Sequence, residues 1–217
     1  MSLKACIYDL DGVITNTAKY HYDSWKWVGG QLDYVLTEKQ NMKLKGVGRK
    51  ESLDKILKWS ASRISEAQKQ NLLVQKNQMY LEFIDKMTPE EAFTGFREFN
   101  KLAKSQGIKV AIGSSSRNAI RIIDKLDLVL AFHAIVDGGM TENSKPEPDI
   151  FLLAAEKLQC KPHECLVIED SQAGLTAAKK AGMKSVLYGG DKGLKGAHLQ
   201  LDNWREADLE KFKNLFV

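Results

Sequence analysis

Short apolar runs punctuate the chain at residues 4–8, 109–113, 134–137, 165–168 and 184–188. They are rich in Val and Ile and end in Gly or polar residues, the pattern of strands buried on both faces. Helical periodicity separates most of them. Ile120, Ile123 and Leu126 share a face in 119–126, and Ile150, Leu153, Ala154 and Leu158 do so in 149–158. An Ala-rich stretch, 173–181, runs into Gly182, a residue suited to a left-handed helix end. Strands alternating with helices predict a Rossmann-like α/β core, a parallel sheet with helices on both faces.

Residues 17–87 break that alternation. No strand pattern occurs there, and helical signals cover 20–28, 51–59 and 65 to about 87. Ser65 followed by Gln68 is a capping box at the head of the last of these. Met87-Thr-Pro-Glu-Glu reads as a returning linker or a helix start, since Pro is tolerated in a first turn. The expected division is an α/β core from 1–16 and 88–217, with an all-helical cap, 17–87, inserted after the first strand.

Length and composition narrow the classes. With about 150 residues per domain as a guide, 217 residues suit one domain with an insertion. The chain is 43% hydrophobic and 28% charged, which excludes disordered, collagenous and coiled-coil classes. Its 32 basic and 28 acidic residues leave a net +4, too diffuse for a nucleic-acid surface and compatible with an anionic small molecule. Cys6, Cys160 and Cys165 lack CxxC spacing, which argues for a reducing compartment and against zinc. With no run of about 18 apolar residues and no signal-like N-terminus, a cytoplasmic protein without a membrane or nucleic-acid partner is expected.

The candidate chemistry lies at strand ends, where open α/β sheets bind ligands. The first strand ends in Asp9-Leu10-Asp11-Gly12-Val13. Two carboxylates at i, i+2 repel each other unless a hard divalent cation such as Mg²⁺ joins them. Asp-Gly is equally a common turn dipeptide. The second strand leads into Gly113-Ser114-Ser115-Ser116-Arg117-Asn118, a phosphate site or simply a helix cap. Lys145 stands in Ser144-Lys145-Pro146-Glu147-Pro148, where two prolines hold a cation rigidly or merely expose it. The fourth strand ends in Glu169-Asp170-Ser171, candidate metal ligands or dipole-favoured acids at a helix start. No GxxxxGK[ST] or complete GxGxxG occurs, which disfavours a glycine-loop kinase.

Taken in order, these four motifs resemble the haloacid dehalogenase superfamily of phosphotransferases over about 3–15 and 93–190. The segments 9–25 and 44–53, with Ser116-Arg-Asn118, Ser144–Phe151 and Ile168–Gly174, are similar to the β-phosphoglucomutase family, nearly to Gly190. Asn16, Gly48 and Ser115 depart from that pattern, where Asp, Ser and Ala are usual; Gly48 bears on sugar preference. The resemblance implies that β-D-glucose 1-phosphate and D-glucose 6-phosphate are interconverted through an aspartyl phosphate and glucose 1,6-bisphosphate. Asp9 would be the nucleophile and Asp11 the general acid and base. Mg²⁺ would rest on Asp9, the Asp11 carbonyl, Glu169 and Asp170, although Glu169 could instead orient Lys145. Ser114, Ser115, Asn118 and Lys145 would hold phosphate. Thr17, His21, Trp25, Lys45, Gly46, Arg49, Ser52 and Lys76 would meet the substrate, with Arg49 gripping the second phosphate. Lys76 otherwise reads as a surface-helix lysine, and Trp25 as cap core bracing His21. A monomer is expected. A sugar-phosphate phosphatase and a non-catalytic sugar-phosphate-binding regulator are the alternatives.

Overall fold

The computed structural model describes residues 2–189 and 193–217. Gly190, where the family resemblance ends, lies outside the described residues, as does Asp191. The strands are β1 (Ala5–Tyr8), β2 (Lys109–Gly113), β3 (Ala134–Val136), β4 (Cys165–Glu169), β5 (Lys184–Tyr188) and β6 (Leu199–Leu201). They form one parallel sheet in the order β3-β2-β1-β4-β5-β6. The five apolar runs are its first five strands. β6 is an addition at the edge, three residues paired to Val186–Tyr188.

Strand side chains alternate between two hydrophobic clusters, as a period of two requires. Cys6, Tyr8, Val110, Ile112, Leu166 and Ile168 face one; Ala5, Ile7, Ala111, Cys165 and Val167 face the other. The second is covered by α7 (Asp149–Lys157) and α8 (Gln172–Lys180). α8 gives way to Gly182 at φ +72°, the left-handed end anticipated there. The first cluster is covered by α5 (Phe96–Ser105), α6 (Ala119–Lys125) and α9 (Leu209–Lys213), with Trp204 buried among Tyr8, Phe96, Phe99 and Tyr188. The Trp204 indole N–H donates to the Val13 carbonyl at 2.7 Å, fixing the turn that follows β1.

Residues 17–87 contain four helices and no strand: α1 (Ala18–Gly30), α2 (Glu38–Met42), α3 (Arg49–Ser60) and α4 (Glu66–Ile84). The Ser65–Gln68 capping box opens α4. Trp25, Val28, Leu44, Leu53, Ile56, Leu57 and Leu72 form a cluster of their own. Tyr80 and Ile84, at the far end of α4, join the sheet cluster instead. The 87–91 segment is a 3₁₀ turn, Pro89–Glu91, begun by the Thr88 N–H donating to Glu91 Oε1 at 3.0 Å. Among the described residues no helix is long and apolar enough to cross a membrane.

β1 is central, with β2 on one side and β4 on the other. From β1 the chain builds outward through β2 to β3, then crosses back to β4 on the other side of β1. The crevice beyond the carboxyl ends of β1 and β4 is therefore the switch point of the sheet, where such folds bind ligands.

Candidate active site

Register places the first two acidic motifs together. Tyr8 pairs with Ile168, and the Asp9 N–H donates to the Ile168 carbonyl at 2.9 Å, so Asp9 and Glu169 leave the sheet side by side. Lys145 reaches them from the loop before α7. Its Nζ lies 2.6 Å from Asp9 Oδ1 and 2.6 Å from Glu169 Oε1, with all three side chains buried. The other Glu169 oxygen accepts from the Ser171 N–H and hydroxyl at 2.7 and 2.8 Å. Glu169 thus orients Lys145 directly. Burial opposes the charge on Lys145, but Asp9 and Glu169 outweigh it and hold the ammonium above its ordinary value. Burial, with Glu169, Asp11 and Asp170 nearby, pushes the Asp9 carboxyl well above the usual range against the pull of Lys145. Burial and Glu169 likewise push Asp170 up to about 6, with Lys45 opposing.

Oxygens of Asp9, Glu169 and Asp170 lie within 4.8 Å of one another. Three buried, hard, charge-crowded carboxylates fit a divalent cation, which would relieve the repulsion that raises Asp9 and Asp170. The Asp11 carboxylate stands apart from this cluster. Gly12, at φ +91°, closes the approach on the other side: a Cβ there would collide with the Asp170 carboxylate.

Asp11 belongs to a second network, made with the helical segment. The Thr17 hydroxyl donates to Asp11 Oδ1, and His21 Nε2 lies 3.5 Å from Oδ2. On the far side of the ring, Lys76 Nζ is 3.0 Å from His21 Nδ1. Lysine offers the donor there, so Nδ1 accepts and Nε2–H faces Asp11. Burial alone would raise Asp11, but the bonds from His21 and Thr17 bring it below its usual value. Burial and the neighbouring Lys76 lower His21. Lys76 is only 2% exposed and sits 4.8 and 4.7 Å from the ring centroids of Trp25 and Tyr80. The surface-helix reading of Lys76 is therefore corrected. Burial and then Arg49 bring it down to about 7, against Asp11. Trp25 is buried in the helical cluster, as expected of cap core.

The loop between α2 and α3 lines the cavity. Lys45 Nζ rests 2.9 Å from Asp170 Oδ2, so a residue expected at the sugar holds a carboxylate of the acidic cluster here. The Gly46 carbonyl accepts from the Ser115 hydroxyl at 2.9 Å. Ser115, expected at phosphate, spends its side chain tying this loop to the sheet. Ser114 is buried, and its Oγ accepts from the Ser116 N–H at 3.1 Å. Asn118 donates to Asn77 Oδ1 on α4 at 2.9 Å. Gly48 starts α3, and Ser144 and Glu51 fill the space a side chain would take: an added Cβ would stand 2.6 Å from Ser144 Oγ. That accounts for glycine at this departure from the family pattern. Asn16 is exposed, its Oδ1 accepting from the Ala18 N–H at 3.3 Å.

The cavity encloses about 600 Å³. Asp9, Asp11, His21, Trp25, Lys45, Gly46, Arg49, Ser52, Lys76, Ser114, Ser115 and Asn118 all line it. Thr17 and Lys145 lie behind that wall, bonded to Asp11 and Asp9. Arg117 is a lining residue that the sequence reading left out. Burial and then Arg117 lower the Arg49 guanidinium, so the two cations converge on a place suited to an anion. The signal for Arg117 lay in Ser116-Arg-Asn118, inside a segment already singled out.

A model of the haloacid dehalogenase-like hydrolase family matches residues 3–182. A β-phosphoglucomutase of Bacillus subtilis is 41% identical over 210 residues, covering 96% of this chain and 93% of the relative. A phosphorylated carbohydrates phosphatase of Thermotoga maritima is 32% identical over 190 residues, 86% of this chain and 85% of that protein. The crystal structure of a β-phosphoglucomutase from Clostridium difficile superimposes with a TM-score of 0.94 at 36% identity, over 99% of this chain and 97% of the other.

Proposed function

The chain belongs to the haloacid dehalogenase-like family, within its β-phosphoglucomutase branch, and from that premise we propose that it interconverts β-D-glucose 1-phosphate and D-glucose 6-phosphate. The route is an aspartyl phosphate on Asp9 and a glucose 1,6-bisphosphate intermediate. One observation carries the choice of a mutase: the candidate general acid and base, Asp11, is held by Thr17 and His21, with Lys76 behind His21. Proton transfer is thereby tied to the helical segment that covers the sugar, which we read as a cap domain, 17–87. Cap closure then excludes water while it completes the site.

Asp9 attacks the phosphoryl group in line, with Lys145 on its carboxylate and Ser114 beside it. Asp11, low in the resting protein, is ionised and ready to take the proton from an attacking sugar hydroxyl. Once protonated, it returns that proton to the sugar oxygen that leaves when Asp9 is phosphorylated again. His21 fixes the carboxylate's orientation, and Lys76 fixes the tautomer of His21. Arg49, Arg117 and Asn118 grip the phosphate that is not being transferred. A divalent cation, Mg²⁺ in our reading, would be held by Asp9, Glu169, Asp170 and the Asp11 carbonyl, and would neutralise charge on the phosphoryl oxygens. Three free cysteines support action in a reducing cytoplasm.

The test supplies β-glucose 1-phosphate, Mg²⁺ and a trace of glucose 1,6-bisphosphate, and follows glucose 6-phosphate and free phosphate together. Glucose 6-phosphate should far outpace phosphate. Phosphate in excess would make the protein a sugar-phosphate phosphatase and overturn the proposal.

A further inference from the structure

The chain makes a tight turn after α2. The Val47 N–H donates to the Leu44 carbonyl at 3.1 Å, with Gly46 third in the turn at φ +71°, a position that suits glycine. The turn is seated on the core, since a Cβ at Gly46 would collide with Ser171 Oγ. Its Gly46 carbonyl accepts from the Ser115 hydroxyl at 2.9 Å. The three serines after β2 differ in what they bond. Ser114 Oγ and Ser116 Oγ accept from N–H groups of their own loop, those of Ser116 at 3.1 Å and Asn118 at 3.2 Å. The Ser115 hydroxyl instead reaches out of the loop to a residue 69 positions away, in the helical segment. The loop it reaches from is firmly held. The Ser114 N–H donates to the Val136 carbonyl at 3.0 Å, and the Ser115 carbonyl lies so near Gly138 that a Cβ there would collide with it. A second tie holds the same turn, the ion pair of Lys45 with Asp170. That tie ends on the acidic cluster, so any charge arriving there perturbs it. The Ser115 bond joins two neutral groups and is independent of such a charge.

We propose that Ser115 is a positioning residue whose hydroxyl latches turn 44–47 onto the core and thereby sets how a phosphoryl group on Asp9 divides between sugar and water. Ser115 and Gly46 line the same cavity as Asp9. A turn that lifts more often admits water more often. This inference rests on the phosphoryl transfer assigned to Asp9 above, and adds a residue that keeps water from it.

Ser115→Ala removes one oxygen and leaves the packing against Gly138 in place. Loss of one such bond should raise the population of the lifted turn about 2- to 10-fold. Trypsin cleavage after Lys43, Lys45 and Arg49, in the protein without substrate, should quicken by that factor while cleavage elsewhere is unchanged. Phosphate released per glucose 6-phosphate formed should rise with it. Ser115→Thr keeps the hydroxyl and should return both values toward wild type. Unchanged cleavage in Ser115→Ala would overturn the proposal. So would cleavage that quickens along the whole chain, a threonine variant that behaves like the alanine one, or a lifted turn with an unchanged product ratio. The wild type's own products test the mutase reading. The variant-to-wild-type cleavage ratio needs no substrate and tests the latch, so the two fail separately.

Discussion

Replacing Lys145 by Met should destabilise the protein most at neutral pH and least in acid. The ammonium is completely buried and is the shared partner of Asp9 and Glu169, each at 2.6 Å. Met keeps the side chain's length and its packing beside Phe151, whose ring centroid lies 4.7 Å from Nζ. What is lost is the charge. Among the described residues, Asp9, Glu169 and Asp170 would then crowd together with Lys45, on Asp170, as the remaining ion-pair partner. Removing one partner of a buried ion pair costs about 3–5 kcal/mol. For a chain of this size that is a fall in Tm of about 6–20 °C. The sign with pH follows from the carboxylates. The folded-state pKa values of Asp9 and Asp170, already raised, would rise further above the unfolded ones, so the penalty is full above the raised values and fades as pH falls toward the unfolded values. Urea denaturation at pH 7 and pH 5 checks this: the deficit against wild type should be several kcal/mol at pH 7 and clearly smaller at pH 5. Mg²⁺ at pH 7 should recover part of it. A deficit below about 1 kcal/mol at pH 7, or one independent of pH, would refute the charge argument.

Arg49→Ala should abolish glucose 6-phosphate formation while leaving phosphate release measurable, because the guanidinium holds the phosphate that stays; unchanged mutase activity contradicts the assignment. Lys76→Met should flatten the alkaline side of the stability profile. With Lys76 at about 7 in the folded protein and near 10.4 unfolded, the wild type gains stability as pH rises from about 7 to 10, and the variant should not; parallel profiles in chemical denaturation would argue against a buried lysine. Gly46→Ala should impair cap closure, since φ is +71° and a Cβ would collide with Ser171 Oγ. Faster proteolysis in the 44–49 loop is the expected readout, and wild-type resistance would speak against a closed loop there.

The strand ends were the most legible part of the molecule. Strands buried on both faces are read from continuous apolar runs, and strand ends are where carboxylates can meet. Asp9, Asp11, Glu169 and Asp170 were therefore visible before any coordinates. Which acids share a site was not, because Asp11 is drawn away from the others by Thr17 and His21, residues of the inserted helices. Lys76 was harder. Its helix is polar overall, yet Leu72, Lys76, Tyr80 and Ile84 are all buried and spaced by four. A lysine in an apolar i, i+4 row was the available sign that it faces inward. α5 carried a similar sign in Phe96, Phe99 and Ala103 that went unread. β6 carries none: three residues gain strand structure only by pairing with β5, and no local pattern encodes that edge. Lys45 and Ser115 were placed by motif at the substrate. Their observed partners, Asp170 and the Gly46 carbonyl, depend on how the loop lies on the sheet, which side-chain chemistry alone does not reveal.

The most direct measurement is the fate of the phosphoryl group on Asp9. The enzyme would be mixed with Mg²⁺ and glucose 1,6-bisphosphate, quenched, digested and weighed, with Asp9→Asn as control. One phosphoryl group should appear on the peptide containing Asp9 in the wild type only. On adding β-glucose 1-phosphate it should pass to the sugar faster than to water. A peptide that stays unmodified, or a phosphoryl group lost to water at the same rate with and without sugar, would contradict a mutase built on Asp9 and closed by its cap.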